Sequence, residues 1–204
     1  MLLRKNVEML FKNNKKSYVV YTAGAAVLKE IAKPVAVVSD EIRNIAAEML
    51  VAMRIFNGIG LAAPQYGYSL RMVVFDVPSE SNTGTPGEIA LLPRMPMTVI
   101  NPEIIAYSSS KTEREEGCLS VPEIYAPVIR PERVVFRAQT LAGEFIEYEC
   151  GGLLGRCIQH ELDHLDGKLF TDRLTADAAR QIRGDLERLK RIGQSSNYRR
   201  ISKK

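Results

Sequence analysis

The stretch Gln159-His160-Glu161-Leu162-Asp163-His164 holds both of the chain's histidines. They stand at i and i+4, and the preceding run from Gly152 to Ile158 reads as the approach turns of a helix. On a helix this spacing stacks two imidazoles on one face with Cβ atoms about 6 Å apart, so both reach one metal ion. Glu161 and Asp163 flank that face. Each lies about 80° from the midpoint between the histidines, so helix angles alone do not choose which one exchanges protons with a metal-bound water. The plain alternative is a solvated amphipathic helix with two incidental histidines. Two histidines scattered over 204 positions would fall at this spacing roughly once in a hundred chains.

A catalytic centre of this kind wants three protein ligands and one open position. A third histidine in the HExxHxxGxxH pattern would fall where Phe170 stands, although Gly167 is in place. Glu187 is the one downstream glutamate at a plausible distance, in a basic, strongly helical stretch. The other source is an upstream cysteine. Cys118 follows Gly117 and a run of acids, a polar approach that suits a thiolate ligand better than core packing. Cys150 and Cys157 read as packing, with Cys157 near enough to His160 to line the site's wall. The run Gly58-Ile59-Gly60-Leu61-Ala62-Ala63-Pro64-Gln65 brings bare backbone close to something and ends in one amide; on spacing alone it is equally a tight turn after a helix. Neither GxGxxG nor GxxxxGK occurs, so there is no phosphate cradle.

The elements that must position these groups follow from pattern. Ala32 to Val38 is extended, with Pro34 barring helix before it. Ser39 caps a helix whose Ile42, Ile45, Ala46, Met49, Met53 and Phe56 keep the 3.6 period until Asn57-Gly58. Arg71 to Val77 is a buried-type strand, Thr98 to Asn101 opens a second, and residues 78–96 read as a surface loop. Arg133 to Gln139 and Phe145 to Glu149 form a hairpin around Ala142-Gly143 that leads to the histidine helix. Thr175 caps a last helix with an apolar seam of Ala179, Ile182, Leu186 and Leu189. From Thr175 to Lys204 there are nine Lys or Arg and three Asp or Glu, either a solvated face or a phosphate contact.

Composition frames this as one soluble globular unit: 204 residues, 46% hydrophobic and 25% charged, with a net charge of +4. No apolar run approaches the ~20 residues that span a bilayer. The first residues lack a signal-peptide core. Three widely spaced cysteines fit a reducing cytoplasm better than export. We divide the chain into a basic N-terminal extension at 1–20, a catalytic domain at 21–174, and a basic C-terminal helix and tail at 175–204.

Three short motifs stand in order: GIGLAAPQ at 58–65, EGCLS at 116–120 and QHELDH at 159–164. On these the chain resembles the peptide deformylase family over roughly residues 20–175. The resemblance implies an α+β fold with antiparallel sheets packed around a central metal-binding HExxH helix. It maps the metal ligands onto Cys118, His160 and His164, and the general acid/base onto Glu161. The Gln65 side chain and the Leu119 backbone N–H would hold the oxyanion. Substrate contacts map onto Gly58, Ile59, Gly60, Glu116, Leu119, Cys157 and His160. Glu116 also matches a buried ion pair with Arg130 that braces the cysteine loop, and Asp163 is left to orient a ligand. The implied cofactor is one divalent metal ion, Fe(II) in the cell, with Zn, Ni or Co able to substitute. Hydroxide generated at the metal attacks the formyl carbon of N-formylmethionyl nascent peptides and releases formate. The ribosome is an implied partner through the basic C-terminal tail; membrane and DNA are not.

Two departures stand out. Tyr125 occupies a position where related bacterial enzymes often carry arginine, which bears on the outer peptide residues. Thr22-Ala23-Gly24-Ala25-Ala26 replaces the family's usual Pro-Asp pair, so altered loop geometry is expected there. Two rival readings remain: a metallopeptidase with Glu187 as third ligand, and an RNA-binding protein with a closed structural site completed by Cys150 or Cys157.

Overall fold

The computed structural model describes residues 17–196 and 199–201. The expectations for residues 1–16 and for the tail at 197–198 and 202–204 lie outside the described residues.

The strongest local signals appear as expected. After strand β1 (Tyr18–Val20), helix α1 (Asp40–Ile55) opens where the Ser39 hydroxyl accepts from the Ile42 N–H at 3.3 Å. It stops where Asn57 takes the left-handed region at φ 58°, which asparagine tolerates better than most residues. The glycine-rich run then becomes strand β2 (Gly60–Ala62) and a 3-10 turn, Ala63–Tyr66. Strand β3 (Met72–Phe75) follows.

Residues 78–96 depart from the expected surface loop. They contain helix α2 (Pro86–Leu91) and bury Gly87, Glu88, Leu91 and Leu92. The cause is a capping box. Thr85 accepts from the Glu88 N–H, and the fully buried Glu88 carboxylate accepts from the N–H and hydroxyl of both Thr83 and Thr85. The Thr85 hydroxyl also accepts from the Gly151 N–H at 3.2 Å. This segment therefore pins the start of the histidine helix.

Strand β4 (Met97–Tyr107) runs well past the expected Asn101. The charged approach to Cys118 is strand β5 (Lys111–Cys118), paired with β6 (Val121–Pro131) as a separate two-stranded sheet. Strands β7 (Val134–Thr140) and β8 (Phe145–Cys150) complete a five-stranded antiparallel sheet in the order β2-β3-β4-β7-β8. Helix α3 (Gly152–Leu165) carries both histidines.

Alternation along the strands divides the core in two. Val73 and Phe75 face one way and pack with Val99, Phe136 and Ile146 against Leu154, Ile158 and Leu162 of α3. Leu61, Met72 and Val74 face the other way onto Ile45, Met49 and Met53 of α1. The sheet thus holds α3 at a fixed height, and β5–β6 presents Cys118 to it.

The last helix, α4 (Ala176–Ser196), is capped by Thr175. Ile182, Leu186 and Leu189 pack with Ala23 against the buried face of β6. Strand β9 (Arg199–Ile201) then returns antiparallel to β1. Helix α4 and strand β9 are therefore both held against the domain. Among the described residues no helix is long and apolar enough to cross a membrane.

Replacing the buried Glu88 with alanine takes the acceptor from four part-buried donors and is expected to lower the unfolding free energy by roughly 2–4 kcal/mol. Urea denaturation measures this. A loss below about 1 kcal/mol would mean that water satisfies those donors instead.

Candidate metal centre

Helix α3 places the His160 and His164 rings on one face, with centroids 5.2 Å apart. The end of β5 brings Cys118 Sγ to 3.2 Å from His164 Nε2. One donor atom from each of Cys118, His160 and His164 lies within 4.8 Å of the others, the one such three-residue group among the described residues. Bonds from sulfur and imidazole nitrogen to a single cation run about 2.0–2.3 Å, so donors this close together fit one ion. Glu187, the rival third ligand, is exposed on α4 and outside the group, as are the buried Cys150 and Cys157.

A layer of charge orients the ligands. His160 Nδ1 lies 2.9 Å from Glu116 Oε2, which leaves Nε2 for a metal. The Glu116 carboxylate also accepts from two nitrogens of Arg130, at 2.7 and 2.9 Å, and from Arg156 at 2.7 Å. Arg130 donates on its other side to Asp163 at 2.9 Å, and Arg173 pairs with Asp163 too. Asp163 therefore touches no ligand; it steadies Arg130, which steadies Glu116, which aims His160. Arg156 went unread in the sequence, although its place four residues before His160 puts it on the same helix face.

Electrostatics follows from these contacts. Burial raises the Glu116 pKa, but hydrogen bonds with His160 and Arg130 outweigh it and hold the carboxyl well below its usual range. Burial, and then the neighbouring His160, push His164 well below the ordinary imidazole range. It is neutral, the form that donates an electron pair to a metal. For His160 burial opposes the charged form, yet Cys118 and Glu116 hold its pKa well above the ordinary value. The negative charge that favours a proton there favours a metal cation equally, so the donor set fits one.

Glu161 lies on the cleft side. It is only 4% exposed, and burial, opposed by His160, raises its pKa to about 7. A Cβ on Gly60 would stand 2.6 Å from Glu161 Oε1, so only glycine leaves room for this carboxylate. Its Oε2 is buried with no partner among the described residues. A carboxyl titrating near neutrality can both accept and return a proton. Gln65 is oriented from both ends: its Oε1 accepts from the Ala62 N–H at 2.8 Å, and its Nε2 donates to Ser120 Oγ at 3.2 Å and Cys118 Sγ at 3.4 Å. The amide N–H groups thus point toward the cysteine.

These groups open onto a cleft of about 730 Å³ lined by Gly58, Ile59, Gly60, Gln65, Leu119, Cys157, His160 and Glu161. Glu116 reaches its wall, but with the carboxylate committed to the arginines and His160. Burial drives the Cys157 thiol well above its usual pKa, so it lines the wall as a neutral apolar group. Tyr125, singled out in the sequence, lines the cleft too, as do Phe56, Pro122 and Leu153, which were not read from the sequence as part of the site. Tyr125 lies over Gly117, where a Cβ would stand 2.5 Å from its ring. No described residue of 78–96 lines the cleft.

Comparison with known proteins places this arrangement. The family profile described as Polypeptide deformylase matches residues 17–180. Peptide deformylase 2 of Gloeobacter violaceus is 46% identical over 155 residues, 76% of this chain and 78% of that protein. The crystal structure of Arabidopsis thaliana peptide deformylase 1B in complex with an inhibitor is similar with a TM-score of 0.75 at 32% identity, covering 87% of this chain and 93% of that one. That of a peptide deformylase from Legionella pneumophila gives 0.72 at 34% identity, covering 87% and 97%.

Arg130→Met removes the shared partner of two buried carboxylates and is expected to cost about 3–5 kcal/mol in unfolding free energy near neutral pH. The acid dependence has a definite sign. A carboxyl whose native pKa lies below its unfolded value near 4.3 stabilises the fold above that pH and loses the effect as pH falls through the native value. The wild-type melting temperature should hold down to about pH 5 and then fall, and the variant should lose less over that range. Parallel acid curves would show that Glu116 does not depend on Arg130.

Proposed function

This chain belongs to the peptide deformylase family, hydrolases that remove the N-terminal formyl group from peptides, and on that premise we propose how its own residues carry the reaction. Cys118, His160 and His164 would hold one divalent cation, which when bound supplies Lewis acidity and makes water a nucleophile near neutral pH. A thiolate with two imidazoles accommodates Fe(II), Zn, Ni or Co, and we take Fe(II) as the ion in the cell.

The formylated methionine enters the cleft with its flexible side chain against Ile59, Leu119 and the neutral Cys157 thiol. The bare backbone at Gly58 and Gly60 lets the peptide lie alongside as an added strand. Glu161 takes a proton from the attacking water. As the formyl carbon becomes tetrahedral, its oxygen gains charge and accepts from the Gln65 amide and the Leu119 backbone N–H. Glu161 then returns the proton to the departing nitrogen, leaving formate and a free amino terminus. The observation that carries this reading is the Glu161 carboxyl itself: buried against Gly60, with one oxygen unclaimed and a pKa of about 7, beside three convergent donors.

The free cysteines suit the reducing cytoplasm. We also read the outer face of α4, where Arg183 and Arg191 are exposed, as a phosphate contact to the ribosome. Changing both to glutamine should weaken salt-sensitive cosedimentation with ribosomes.

The decisive assay is formate release from a formyl-Met-Ala-Ser peptide by anaerobically prepared, metal-loaded protein. Glu161→Gln should lower kcat by about 10²–10⁴ while metal stays bound. Gln65→Ala should cost about 10²–10³. Cys118→Ser should lose metal and Glu187→Gln should keep it. No formate from metal-loaded wild type would overturn the reading.

A further inference from the structure

The segment that departs from the family's Pro-Asp pattern lies between the oxyanion loops and the last helix. On one side the Tyr21 N–H donates to the Gln65 carbonyl and the Ala23 N–H to the Ser120 carbonyl, both at 2.8 Å. These two bonds tie one strap to the turn that carries Gln65 and to the turn that follows Cys118. Those turns belong to different sheets, so no shared ladder sets their spacing. On its other side the strap meets α4 backbone to backbone. A Cβ on Gly193 would stand 2.1 Å from the Ala23 carbonyl oxygen, and one on Gly24 would stand 2.2 Å from the Lys190 carbonyl oxygen.

Glycine inside a helix costs about 1 kcal/mol relative to alanine, so Gly193 calls for a reason, and the approach to Ala23 is one. Gly184, on the same helix, meets nothing within 4 Å. Thr22 and Ala23 are buried, and the β1–β9 pairing ties the residues before the strap to those after the helix. The strap is thus placed by the C-terminal helix.

We propose that α4 is a positioning element for catalysis: through Gly193 and Gly24 it seats the 21–24 strap, which holds Gln65 and the Cys118–Ser120 turn in register with each other. This rests on the reading of Gln65 and Leu119 as oxyanion donors. Displacing such a donor by about 1 Å costs on the order of 10²-fold in rate, so a small shift of the strap is enough to be read.

The test compares Gly193→Ala with Gly184→Ala in the full chain, well below the melting temperature and at equal metal content. Gly193→Ala should lower kcat about three- to tenfold with KM within about twofold, and Gly184→Ala should change neither. Leu189→Ala loosens the same docking without a clash, should lower kcat in the same direction, and decides the matter if Gly193→Ala does not fold. In a Gln65→Ala background the Gly193→Ala effect should largely vanish, because a residue acting through Gln65 cannot act once it is gone; a merely destabilising change would lose the same factor in both backgrounds. Wild-type kcat in the folded docking variants, or a fully additive double variant, overturns the proposal. A costly Gln65→Ala beside a silent Gly193→Ala would sink the strap alone; a silent Gln65→Ala would sink the oxyanion reading beneath it.

Discussion

Arg130 donates to Glu116 on one side and Asp163 on the other, with none of the three side chains more than 7% exposed. Withdrawing such charges from water costs several kcal/mol for each ion, and the cost is offset only where every charge is hydrogen-bonded. Here it is, because Arg156 and Arg173 add further donors and His160 shares the second Glu116 oxygen with Arg130. An apolar cluster could hold β6 against α3 as firmly, but it could not aim an imidazole. The charged cluster does, since Glu116 grips His160 from the strand that also carries Cys118 two residues on. Spacing between the Cys118 sulfur and the His160 ring is therefore set by one contiguous set of directed bonds.

The same burial sends two glutamates in opposite directions. Glu116, with two arginines and a histidine on its oxygens, is held ionised. Glu161 is equally out of water but lacks such partners, and its pKa rises to about 7. One acts as a fixed charge and the other is free to move a proton, a division produced by neighbours. Gly60 makes it possible, because any larger residue would occupy the place of the Glu161 carboxyl.

Regular elements were legible where one local force dominated. The Ser39 cap and the 3.6 period of α1, the hairpin around Gly143, and the Thr175 cap each rest on contacts within a few residues. One stretch was misread, because its partner lies far away in sequence. Residues 78–96 read as a loop from their prolines and glycines, yet the Thr85–Glu88 box buries them against the start of α3. The acids before Cys118 do form the polar, largely exposed approach that was expected, and β6 supplies the ladder that makes it a strand. Composition reports what a segment can do alone, and a distant partner changes that.

The two histidines at i and i+4 with the adjoining Glu161 and Asp163, the thiol at 118 and the amide at 65 could be named as chemistry before any fold was known. Side-chain type and helical period are local properties, so the sequence alone determined which groups could do chemistry, while Glu187 and Cys118 both stayed open as partners of the histidines until the structure brought Cys118 to them. Spacing did not separate Glu161 from Asp163, since both subtend the same angle on the helix. The family resemblance pointed to Glu161, and the tertiary structure gives the two their different surroundings, with Arg130 and Arg173 beside Asp163 and bare Gly60 beside Glu161. Only the tertiary structure decided the docking of α4 on the strap at Ala23, because close approach of two backbones 170 residues apart in sequence leaves no periodic mark beyond two glycines.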